Sequence, residues 1–166
     1  MSERLPAPGG LVLVQSLVNT LDVETGADSL GGVEGQARFG IPADELGQAI
    51  ELRESLRAAL LAHAGHPPHR TVIPLGELLA RAPLVVTVDT GDGSAALAPA
   101  DEGPLLCRVA AAVAQALVEG TWTRLKACED VDCHWAYYDR SPAGRGRWCS
   151  MQVCGARAKM RRYRSK

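Results

Sequence analysis

The sequence predicts an α+β chain in two unequal parts. A mainly helical N-terminal domain with a small β-hairpin occupies 1–120, and a small cysteine-rich module occupies 121–166. Three observations carry this reading. Apolar residues recur at helical spacing in several stretches of the first part. A β-branched run at 84–88 and a weaker apolar run at 95–98 flank the glycine-rich turn DTGDGS, which favours a hairpin. Four of the five cysteines crowd into the C-terminal end, at Cys128, Cys133, Cys149 and Cys154.

In chain order, the first ordered element is 11–23, where Leu13, Leu17 and Leu21 recur every four residues with Val14 and Val18 beside them, a helical stripe whose opening Leu-Val-Leu-Val equally suits a short strand entering the helix. Residues 24–43 are polar and glycine-rich and predict a long loop. Its glycines form no phosphate-binding pattern. From 43 to 64 the pattern is helical: Leu46, Ile50, Leu52, Leu56, Leu60 and Leu61 keep to one broad face, and Pro42 suits the start. Glu51, Arg53, Glu54 and Arg57 decorate the other faces and are expected in solvent. His63, His66 and His69 follow in a stretch broken by Pro67 and Pro68, with no thiolate or acid nearby in sequence, so a plain loop is expected. A short helix over 74–80 precedes the hairpin, and a long alanine-rich helix over 101–120 follows it, stopping at Gly120. Cys107 lies in that helix and reads as a small core residue.

The terminal cysteines are spaced C-x4-C-x15-C-x4-C. Two close pairs joined by a loop long enough to fold back supply the tetrahedral four-sulfur shell that zinc favours, with no position left for substrate. Two disulfides in a secreted module are the competing reading. It suffers because MSERLPAPGG has no hydrophobic signal core behind positive charge. Neither pair has the C-x-x-C spacing of a redox motif. A structural Zn2+ held by all four cysteines is therefore expected. Within the module, 128–133 reads as a knuckle, HWAYYDRS as a strand leading to a turn at 142–144, and Trp148 and Cys149 as closing a second strand. Ser150 is placed to cap a helix running to about Arg164. A knuckle, hairpin and helix in that order make a treble-clef or zinc-ribbon-like finger.

The segment RWCSMQVCGARAKMRRYR closely resembles the CGNR-type zinc finger, and LKACEDVDCHWAYYDRS resembles its first half. The sequence departs at the name motif, with Ala156 where the family has asparagine, and no metal ligand is lost. That family pairs the finger with an N-terminal ABATE domain, and such proteins are regarded as stress-related transcription regulators. The resemblance implies DNA as a partner of the finger and a small-molecule ligand or protein partner for the N-terminal domain. Its FVNT segment is matched by Leu17, Val18, Asn19 and Thr20, which makes Asn19 a candidate pocket residue. An Asn at a helix end also serves as a cap or turn residue.

Charge supports a polyanionic partner. Residues 1–120 hold 7 Lys+Arg against 15 Asp+Glu, and residues 121–166 hold 11 against 4. A basic module on an acidic body fits a polyanion, or mutual attraction between the halves. A helical projection sets Val153, Ala156, Met160 and Tyr163 on one side, expected to be buried. Lys159, Arg162 and Lys166 lie opposite, and Arg157, Arg161 and Arg164 flank the seam, with Arg145 and Arg147 in the preceding loop. These eight are the candidate nucleic-acid-binding residues; Arg157, inside the family motif, is also a candidate brace for the knuckle. Phosphate contacts of this kind position a protein without reading bases. A docking module without DNA binding is the alternative.

No apolar run reaches the ~18–20 residues needed to span a bilayer, so a membrane partner is not expected and the cytoplasm is the expected location. No enzyme is expected either: there is no G-x-S-x-G, no paired acid with a nearby base, and no Cys–His couple outside the module. A homodimer would suit a reader of two half-sites, although no heptad specifies one.

Overall fold

Helix α1 (Leu11–Val18) buries Leu11, Val14, Leu17 and Val18, a spacing of three to four that gives one apolar face. That face meets α3 (Leu46–His63) and α5 (Leu105–Val118), which contribute Leu52, Leu56, Leu60 and Leu61, and Val109 and Val113. The computed structural model describes residues 5–165. Among them are six α-helices and two antiparallel two-stranded sheets, the α+β architecture expected.

Between α1 and α3 the sequence expectation of a loop is corrected. Residues 24–43 contain a 3-10 turn (Ser29–Gly31) and a helix, α2 (Val33–Phe39). Asp28 caps the turn by accepting from the Leu30 N–H at 3.0 Å, and Phe39 is buried in the main core. Gly40, at φ 61°, ends α2: Ile41 N–H reaches back to Gln36 O at 3.0 Å, a closure that needs the left-handed conformation glycine adopts without strain. Gly120, at φ 68°, ends α5 in the same way, with Thr121 N–H on Ala116 O at 2.8 Å.

The short α4 (Leu75–Leu79) leads to the hairpin of β1 (Leu84–Val88) and β2 (Ala95–Pro99), paired from Leu84↔Pro99 to Val88↔Ala95. Its β2 strand lies along α5. The terminal module then opens on a second hairpin, β3 (Leu125–Ala127) with β4 (Ala136–Tyr138). Leu125, Ala127 and Ala136 are wholly buried in the same core as α1 and α3, so this hairpin packs into the body. The pairing corrects the expected strand at Trp148 and Cys149, where no strand forms: β4 pairs with the segment before Cys128 instead. The chain ends on a π-turn (Met151–Gly155) and α6 (Ala156–Arg164).

Two further expectations fail. Arg53, Glu54 and Arg57 are not solvated: they are 3%, 2% and 0% exposed. Arg53 binds Glu54 (2.7 Å) and Asp28 (2.8 Å), Arg57 binds Glu54 (3.0 Å), and His69 adds a third contact to Glu54 at 2.9 Å. Paired charge is the condition under which such groups tolerate burial. Burial alone would raise the Glu54 pKa, but the His69 hydrogen bond and the two guanidiniums outweigh it and hold the carboxyl at about 2. Conversely, the apolar side of the π-turn and α6 is not buried, with Val153 of the turn and Met160 and Tyr163 of the helix all exposed.

Candidate metal centre

The cysteines are carried by three local devices. Cys128 leaves β3 with its N–H on Trp135 O at 2.9 Å, which closes the knuckle against the entry to β4. Within the knuckle the buried Asp130 backbone oxygen accepts from both Cys133 N–H (2.8 Å) and His134 N–H (3.2 Å), and His134 takes φ 46° to complete the turn. The loop after β4 is held by a buried Lys126–Asp139 pair at 2.9 Å and by Gly146 N–H on Asp139 at 2.7 Å. That loop returns beside the first knuckle through Glu129 N–H on Arg147 O at 3.0 Å. Ser150 caps the last turn as expected, its hydroxyl accepting from Val153 N–H at 3.3 Å, and the π-turn swings Cys154 back under Cys149.

The four sulfurs lie within 4.8 Å of one another, with Cys133–Cys149 at 3.6 Å and Cys149–Cys154 at 3.7 Å. A tetrahedral zinc with Zn–S bonds of about 2.3 Å requires sulfur–sulfur edges of about 3.8 Å, so the donor set fits. The chemistry of the sulfurs agrees. Hydrogen bonding with Cys128 and Cys133 pushes the Cys149 thiol far up, while accepting from Cys128 and Cys149 pulls Cys133 down. Sulfurs this close share protons, and a divalent cation replaces them. Cys128 and Cys154 are buried, and Tyr137 and Trp148 pack around them. With four protein sulfurs and no position left for substrate or water, the centre is structural. Among the described residues this is the one such group of three or more ligating side chains.

A family described as a putative stress-induced transcription regulator (ABATE) matches residues 11–120, and the CGNR zinc finger matches 124–166. The chain belongs to the ABATE family. Its ABATE body carries a CGNR zinc finger whose four cysteines hold a structural zinc. A search of curated proteins returns no match. Among the described residues no helix is long and apolar enough to cross a membrane. Ala156, at the motif's asparagine position, is exposed at the start of α6.

The candidate nucleic-acid residues divide into two sets. Arg147 pairs with Glu129 and lies over the Trp148 ring at 5.3 Å. Arg161 binds Asp130 at 2.6 Å, and Arg157 reaches across to Glu24 of the ABATE body at 2.8 Å. Arg145, Lys159, Arg162 and Arg164 are exposed and make no ion pair among the described residues. Lys166 lies outside the described residues.

Asn19 lies on the wall of a cleft of about 900 Å³ between the ABATE body and the finger, with Gln15, Arg38, Asp132 and Trp135 also on its walls. The Asn19 amide pairs with the finger's backbone: Oδ1 accepts from Ala136 N–H at 2.7 Å, and Nδ2 donates to Ala136 O at 2.9 Å. It thereby adds one strand-like rung along the edge of β4 that faces away from β3. Other contacts across the interface were invisible in the sequence. Arg57 donates across it to His134 O (3.0 Å), and within the body to Val18 O (2.9 Å), and His63 Nδ1 lies 2.7 Å from Leu125 O. His66 meets Glu129 at 3.2 Å. The three histidines read as loop residues each hold a defined partner, two of them in the finger. The Pro67–Pro68 break after α3 was their only sequence signal, marking a turn that brings α3's end back to the module.

Proposed function

We propose that the protein is a DNA-binding transcription regulator whose finger meets phosphate through Arg145, Lys159, Arg162 and Arg164, while the ABATE body senses a small ligand or a partner. The observation that carries this reading is the division of the finger's cations. Of the candidate cations, three are committed to carboxylates of the knuckle and the body, and four are exposed on the outer loop and helix with no ion pair among the described residues. Exposed like charges on a short helix repel one another, and a polyanion relieves that repulsion. The paired set sets the pose of α6, and the unpaired set is what the pose presents.

The cleft supports the sensing half. Its walls come from both the body and the finger, so an occupant would touch both sides of the interface that the Glu24–Arg157 pair spans. Ligand binding and the pose of α6 would then be thermodynamically linked.

Fluorescence anisotropy of a labelled duplex across a salt series tests the reading. Four phosphate contacts give a slope of log K against log salt of about −3.6. Reversing Lys159 and Arg162 to Glu should cut that slope by about half and weaken every duplex alike. Binding that ignores both salt and these substitutions would overturn the proposal. The exposed seam of Val153, Met160 and Tyr163 favours a second reading, a docking module for a protein. That reading requires association that survives nuclease treatment and is lost on Met160→Asp.

A further inference from the structure

The hairpin of β1 and β2 rests on α5 through β2, and its outer strand is unusual in composition and in exposure. The strand LVVTV carries no charge and no bulge, and Val85, Val86 and Val88 are 44%, 67% and 60% exposed. Among the described residues its sheet has two strands, so one edge of β1 has no neighbouring strand there. A two-stranded sheet is marginal in water by itself, and open edges of this kind are normally blunted by lysine, proline or a bulge.

The register shows which groups line that edge. Hydrogen-bonded positions alternate along an antiparallel pair. Asp89 N–H donates to Ser94 O at 2.8 Å and Ala100 N–H donates to Pro83 O at 3.0 Å, so Pro83, Val85, Thr87 and Asp89 face β2. Leu84, Val86 and Val88 therefore turn their N–H and C=O groups outward. Pro83 does nothing to block them, because its missing N–H falls on the β2 side.

We propose that the outer edge of β1 pairs antiparallel with β1 of a second copy of this chain, joining two hairpins into one four-stranded sheet. The edge is self-complementary in two independent ways. A two-fold axis through Val86 sets Val86 against Val86 and Leu84 against Val88 of the second copy, so every outward donor meets an outward acceptor. The flanking charges agree: Arg81 precedes the strand, and Asp89 and Asp92 follow it, all exposed. Antiparallel pairing lays Arg81 beside the second copy's Asp89–Asp92 turn, whereas parallel pairing would set like charges together. Neither the finger's chemistry nor its DNA reading enters this inference.

The test uses the full zinc-loaded chain. Sedimentation velocity over a concentration series should show the mass rising from 17.6 kDa toward twice that value. Val86→Lys, at an exposed site, should leave the circular dichroism unchanged and weaken self-association at least tenfold. Val86→Cys should form a disulfide-linked dimer on mild oxidation, since the axis brings the two positions face to face. Val85→Cys should not, because the same register opposes Val85 to Thr87. A monomer at every concentration, a dimer indifferent to Val86→Lys, or equal cross-linking at both positions would each overturn the proposal.

Discussion

Replacing Arg57 with methionine removes a side chain that touches the buried ion network, α1 and the turn that closes the zinc knuckle together. Its guanidinium is wholly buried, and it gives one hydrogen bond each to Glu54, Val18 O and His134 O. Methionine fills most of the volume but leaves both carbonyls without this donor and Glu54 with one cation fewer. Removing one member of a buried pair costs about 3–5 kcal/mol. For a chain of this length each kcal/mol lowers Tm by about 2–4 °C, so a fall of about 6–20 °C is expected. Differential scanning calorimetry of the zinc-loaded protein measures it. Because His134 follows Cys133 directly, competition with a chromophoric chelator should also show faster zinc release in the variant. A Tm within about 2 °C of the parent, with zinc release unchanged, would refute the view that this arginine joins body to finger.

The other expectations concern the same interface and its charges. Glu54 is held at about 2 in the fold, below its ordinary value of 4.5, so its contribution is present above pH 4.5 and lost as pH falls toward 2. That shift corresponds to about 3 kcal/mol, and Glu54→Gln should flatten the acid limb of a stability–pH curve over this window. Burial pushes the His63 pKa down despite its contact with Leu125 O, so further stability should be lost as pH falls below about 6.5, and His63→Gln should remove that part. Asn19→Ala removes the paired contacts to Ala136 and should cost about 1–3 kcal/mol; hydrogen exchange at the Ala136 amide should speed up while exchange in α5 is preserved. Arg157→Glu breaks an exposed pair, so Tm should stay put while thermal motion of α6, read by a spin label at Lys159, increases.

Much of the finger was legible in the sequence because metal ligands come in local pairs. The spacing of Cys128 with Cys133 and of Cys149 with Cys154 already implies two turns that converge, and Ser150 marks the helix start by its own hydrogen bond. The hairpin at 84–99 was legible for the same reason, since its turn residues are contiguous. What failed was non-local. Helix α2 was hidden by glycines that argue for a loop, and burial of Phe39 against a core assembled elsewhere decides in favour of helix. Arg53, Glu54 and Arg57 were expected in solvent, because only the folded chain brings Asp28, His69 and His134 to satisfy them. The wheel of α6 correctly grouped Val153, Met160 and Tyr163 on one side, but a wheel says which residues share a face and not what packs against it. The partner of β4 was missed because it lies across the knuckle, before the first cysteine.

The claim on which the rest depends is that one zinc ion, held by four sulfurs, fixes the turn that presents α6. X-ray absorption at the zinc edge on freshly purified protein, combined with metal quantitation, addresses it directly. The account predicts one zinc per chain with four sulfur neighbours at about 2.3 Å and no nitrogen or oxygen in the shell. Substoichiometric zinc, or a shell that includes lighter atoms, would contradict it.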